Sequence, residues 1–169
     1  AKFIVSVGKG VAETMERGGV HGYPVIDVKA TVYDGKFHNV DSDEMSFKTA
    51  GRLAFRAAMA QADPVVLEPV SRLEVTVPTA SQGDIMGDLN SRRGRVQGME
   101  ASGKQQVIKA QVPMSEMLNY QSTLNSITGA RGSFHMQFSH YDPVPGNLSH
   151  KIVEQSRAEG RIRGGEEED

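Results

Sequence analysis

Between Pro64 and Pro145 the hydrophobic pattern switches between strand and helix spacing in one fixed order, which leaves few folds open. Arg72 to Val77 alternates, with Leu73, Val75 and Val77 facing inward. Ser81 is placed to cap a helix carrying Ile85 and Leu89, which ends at Gly94 after Arg92-Arg93. A strand from Arg95 to Met99 turns near Ser102-Gly103 into another from Gln106 to Val112. Met117, Tyr120, Leu124 and Ile127 recur at helical spacing, with Gly129 as the stop. Ser133 to Tyr141 is the last strand, with Phe134, Met136 and Phe138 on the face to be buried. The order is β-α-β-β-α-β.

Residues 65–145 are therefore expected to form a ferredoxin-like domain. A short helix around Leu148, Ile152 and Val153 follows over 146–160, and 161–169 is expected to be a disordered acidic tail. Residues 1–64 read differently. Val7, Val11 and Met15 mark a helix stopped by Gly18-Gly19. Val25 to Tyr33 alternates as a strand, with Ile26, Val28, Ala30 and Val32 on one face. After a polar loop from Asp34 to Asn39, Asp41 with Glu44 resembles a capping box. The helix it opens runs to about Gln61, with Phe47, Ala50, Leu53, Ala54 and Ala57 along one side. One strand cannot satisfy its own backbone groups, so partner strands are expected upstream of Ala1. The fold class is α+β: an incomplete βα domain whose N-terminal strands are missing, then the ferredoxin-like βαββαβ domain and a C-terminal helix.

Composition limits the function classes. Hydrophobic residues make up 38% and charged residues 24%, which fits a globular chain, and no apolar run approaches the roughly 20 residues of a membrane helix. The start lacks the plan of a signal peptide. Cysteine is absent, which excludes disulfides and thiolate metal sites and fits a cytoplasmic protein. Basic and acidic residues number eight and eight up to Asp63, seven and seven from Pro64 to Pro145, and four and six thereafter, giving the net charge of −2. The acidic excess lies in Glu166-Glu167-Glu168-Asp169, so RNA binding would rest on local clusters rather than a global field.

The residues offer no catalytic centre. There is no Walker-type loop and no Gly-x-Ser-x-Gly elbow, so this chain is not expected to be an enzyme or to bind GTP by that route. His135 and His140 lie an odd number of positions apart on one strand, which predicts opposite faces, and no metal site is expected. Gly83-Asp84-Ile85-Met86-Gly87 superficially resembles the Gly-x-x-Gly loop that clamps RNA backbone, but Asp84 and Asp88 would repel phosphate. The open sheet face offers Arg72, Glu74, Thr76, Lys109 and Gln111, none of which stacks a base. Two candidates for contact with an anion remain. Arg92, Arg93 and Arg95 either compensate a helix dipole or grip phosphates. The loop from Asp34 to Asp43 sets Lys36, His38 and Asn39 beside a helix N-terminus near Ser42.

These same residues carry a family likeness. Gly22-Tyr23-Pro24-Val25 and the run from Tyr33 to Ser42 (Tyr-Asp-Gly-Lys-Phe-His-Asn-Val-Asp-Ser) resemble the central part of domain IV of elongation factor G. Leu67-Glu68-Pro69, the run from Gly83 to Gly94, Val112-Pro113 and Arg131-Gly132-Ser133-Phe134 resemble its domain V. The likeness implies a C-terminal piece of a translational GTPase, with GTP and magnesium held in a part of the parent absent here. It implies a cytoplasmic monomer whose partners are the ribosome, rRNA, tRNA and mRNA. The tip-loop residues Lys36, His38, Asn39, Asp41 and Ser42 would enter the small-subunit decoding region to promote translocation. Arg92, Arg93 and Arg95 would face the large-subunit GTPase-associated region.

Two departures qualify the likeness. The family's Asp-Ser-Ser run reads Asp41-Ser42-Asp43, which adds a negative charge near the loop, and 161–169 matches nothing in the family pattern. A paralogous recycling or rescue factor, or a tetracycline-resistance ribosomal protection protein, is the alternative within the superfamily. From other classes, an acylphosphatase-type phosphatase would need a basic phosphate loop where Pro78-Thr79-Ala80-Ser81-Gln82-Gly83 has none, and no feature selects for a small-ligand regulatory domain.

Overall fold

The computed structural model describes residues 2–40 and 42–162. In chain order its elements are α1 (Lys2–Arg17), α2 (Glu44–Gln61), β1 (Leu67–Pro78), α3 (Gln82–Ser91), β2 (Arg95–Ser102), β3 (Gln105–Pro113), α4 (Tyr120–Thr128), β4 (Ser133–Pro143) and α5 (Gly146–Ala158). They divide into two units: Ala1–Val66 with Pro145–Asp169, and Leu67–Val144. Residues 163–169, most of the expected acidic tail, lie outside the described residues.

In Leu67–Val144 the four strands form one antiparallel sheet in the order β2-β3-β1-β4, the ferredoxin-like arrangement. The register stacks the inward rows: Val75 lies opposite Ile108 and Phe134, and Leu73 opposite Ala110 and Met136. Leu73, Val75, Val77, Ile85, Leu89, Ile108, Val112 and Leu124 are wholly buried. At roughly 1.5–3 kcal/mol for each such side chain, this layer fixes the helices on the sheet. Tyr120 joins it edge-on to Phe134, ring centroids 5.0 Å apart. Burial and the nearby Asp88 push its phenol up to about 12.

Three details of this unit depart from expectation. Ser81 makes no capping bond, because a 3-10 turn over Thr79–Ser81 runs straight into α3. Phe138 lies opposite Ser71 on the core side yet is 52% exposed, its ring centre 5.2 Å from that of Tyr141. A bulge at Ser139 then shifts the register, so His135 faces Glu74 and His140 faces Val70. Those partners lie on one side of β1, so the odd spacing does not separate the two histidines.

The other unit is built on small residues. The α1–α2 crossing passes through Gly10 and Gly51, where backbone meets backbone. A Cβ on Gly51 would stand 2.6 Å from the Val7 carbonyl oxygen, and one on Gly10 would collide with the Lys48 carbonyl. Ser6, Gly10 and Thr14 form the buried line of α1, and Gly51, Phe55 and Met59 that of α2. The expected α2 face is therefore corrected: Ala50, Ala54 and Ala57 are exposed and Leu53 is 55% exposed. Phe3 stacks on Phe47 at 4.5 Å, and Lys48 pairs with Glu13 at 2.6 Å. α5 belongs to this unit through the wholly buried Ser156, whose hydroxyl donates to the His21 carbonyl at 2.7 Å.

The expected strand Val25–Tyr33 is absent; the segment carries no ladder and is mostly exposed, with Ile26, Val28 and Val32 all outside the core. The alternation is present in the residues, but no described strand is available to pair with it. Asp27 even adopts a positive φ of 58°, which breaks a regular extended course.

Candidate nucleic-acid interface

The loop between residue 33 and α2 projects its side chains rather than packing them. Tyr33 is 95% exposed, Phe37 65% and Val40 92%, and Lys36, His38 and Asn39 are exposed among them. Short polar contacts hold the backbone that presents them. The Gly35 amide donates to Asp34 Oδ1 at 2.8 Å, and the His38 amide donates to Ser42 Oγ at 2.8 Å. Ser42 thus holds the His38 backbone, and the His38 ring makes no hydrogen bond among the described residues. Asp41 lies outside the described residues.

The helix N-terminus behind the loop is not open to an outside anion in the way the spacing predicts. Helix α2 begins at Glu44, and its cap is Asp43 rather than Asp41: Asp43 Oδ1 accepts the Ser46 amide at 2.6 Å. That backbone bond holds the Asp43 carboxyl below the usual aspartate range. The charge that departs from the family's Asp-Ser-Ser run is therefore a capping group, a role serine and aspartate both fill.

The structure separates the three arginines. Arg92 extends from the end of α3 and donates to Asp88 Oδ2 at 3.0 Å, to Thr123 Oγ1 at 3.0 Å and to the Glu116 carbonyl. Its guanidinium also lies 5.1 Å from the Tyr120 ring centre. Arg93 has a φ of 58°, which turns the chain out of α3. It forks onto both oxygens of Glu68 at 2.6 and 2.8 Å and reaches Glu116 at 3.0 Å. These acceptors hold its guanidinium still more firmly protonated. Glu68 is only 9% exposed. Arg92 and Arg93 tie the end of α3 to β1 and to the turn at Met114–Met117. Arg95, exposed at the start of β2, has no ion pair among the described residues. Sequence reasoning passed over Tyr33, Phe37 and Val40, although three large apolar side chains in so polar a loop are a signal of contact.

Residues 65–152 match the family model described as Elongation factor G C-terminus, and residues 1–63 match Elongation factor G, domain IV. A solved structure of a protein from Thermus thermophilus is 41% identical, with a TM-score of 0.85 over 97% of this chain. The chain spans 24% of the length of that protein.

Proposed function

Since the chain belongs to the elongation factor G family, covering its domain IV and C-terminus, we propose that its loop 34–42 enters the ribosomal decoding region and promotes movement of tRNA and mRNA. The exposed loop is the observation that carries this reading. Tyr33, Phe37 and Val40 stand outside any core beside Lys36, His38 and Asn39. Aromatic faces stack on bases, and Lys and His meet phosphates and 2′-hydroxyls, which is the chemistry of RNA cavities. Ser42 supports the loop backbone, and Asp41 completes the family's motif. Contact with large-subunit RNA rests on Arg95, with Arg92 and Arg93 shaping the surface that presents it. GTP and its magnesium belong to parts of such a factor outside this chain. No described helix is long and apolar enough to cross a membrane.

The test is His38→Ala in the full-length factor. A stack or hydrogen bond of about 1–3 kcal/mol made chiefly in the transition state predicts translocation slowed roughly tenfold to hundredfold with GTP hydrolysis nearly intact. Wild-type translocation by this variant would sink the tip-loop reading.

A further inference from the structure

The first unit holds a cavity of about 700 Å³ that the loop does not use. Its walls carry Arg17 from the last turn of α1, Arg52 and Arg56 from α2, and Arg161 beyond α5, over a floor of Phe55 and Met59. Arg52 and Arg56 are one helical turn apart, so they stand on one face. Phe55 and Met59 are at most 9% exposed. Among the described residues no carboxylate lines the cavity. Two acids of this unit are engaged, Glu13 with Lys48 and Glu159 with Arg161 itself. Among the described residues Arg17, Arg52 and Arg56 make no ion pair, unlike Arg92 and Arg93. Three guanidinium groups without a carboxylate partner, those of Arg17, Arg52 and Arg56, thus line one cavity, and an anion held among them would offset their mutual repulsion. The planar fork of arginine suits phosphate in particular.

We infer that this cavity is a second RNA-contacting site, separate from the loop, which grips the phosphodiester backbone of a single strand. The inference deepens the RNA-contacting reading above and rests on it for the class of ligand. The full 169-residue chain is titrated with a fluorescein-labelled hexauridylate, and anisotropy is followed from low to moderate salt. Arg52→Gln with Arg56→Gln removes two phosphate contacts. Each contact contributes about 0.7 to the single-strand salt slope, so the slope is expected to fall by about 1.4 and low-salt affinity roughly tenfold or more. Arg52→Lys with Arg56→Lys, which keeps the charge, should recover most of the slope. Circular dichroism confirms that α2 persists in both variants. Lys36→Ala with His38→Ala separates the two readings. If only this loop variant loses RNA, the cavity inference fails while the loop reading stands. If only the cavity variant does, the loop reading is the one in trouble. Hexaglutamate displacing the RNA at equal or lower concentration would make the cavity a site for acidic peptide and overturn the inference. So would an unchanged salt slope in the glutamine variant, or no binding by the wild-type chain.

Discussion

The two units solve the same problem with opposite materials. Leu67–Val144 buries branched aliphatic side chains from its strands and two helices, most of them completely. The other unit buries glycine, serine and threonine where α1 crosses α2, and leaves Ile4, Val5 and Leu53 more than half exposed. The first kind of packing is strong because much apolar area leaves water. The second gains closeness of backbones but little area, so it should open more easily. Chemistry follows the same division. The stiff unit commits Arg92 and Arg93 inward, and the other presents its loop and its arginine cavity outward.

The largest effect should come from removing the clamp of the stiff unit. Arg93→Ala strands the Glu68 carboxylate, which is 9% exposed and bonded to Arg93 through both oxygens. Breaking a mostly buried pair from one side costs about 3 kcal/mol, the low end for such pairs because some solvent reaches Arg93. Chemical denaturation of the chain measures this. A loss below about 0.5 kcal/mol, the scale of an ordinary surface change, would mean that Arg93 is free for RNA after all.

The stiff unit was legible almost element by element, because its alternating and helical spacings are satisfied inside the chain. Arg92 and Arg93 were not. Their partners Glu68, Glu116 and Thr123 are distant in sequence, and only the fold brings them together. In the other unit the alternation from Val25 to Tyr33 was read correctly as a pattern and wrongly as a strand, since a strand exists only with a neighbour to pair with. Its helix contact was hidden for another reason. Hydrophobic periodicity cannot see a face made of Ser6, Gly10 and Thr14. The segment carrying Lys36 and His38 was legible as an exposed polar loop, whereas the cavity arginines come from three separate segments, at Arg17, at Arg52 with Arg56, and at Arg161, and form no single motif.

A smaller effect should follow from crowding that glycine crossing. Gly51→Ala sets a methyl group 2.6 Å from the Val7 carbonyl, and the obstacle is backbone, so α1 must shift. Overpacking of this kind costs about 1–3 kcal/mol. It should be felt in one unit only. Amide exchange of α1 and α2 should quicken while that of β1 and β3 stays unchanged. Equal quickening in both units would show that they unfold as one, and the contrast drawn between them would fail.

The smallest effect concerns the cap that holds α2 behind the loop. In the folded chain the Asp43 carboxyl lies below its ordinary value of about 3.9 because its oxygen accepts the Ser46 amide. A lowered folded value means that the ionised form favours folding. The contribution is therefore complete above about pH 4, and is lost as the pH falls through the folded value. Asp43→Asn keeps an acceptor in place and removes the titration, so α2 should stay capped with no acid step at this site. Asp43→Ala removes both, and the Ser46 amide should exchange faster at every pH. Carboxyl chemical shifts followed through the acid range give the midpoint directly. A midpoint at or above about 3.9 would show that Asp43 is not the cap.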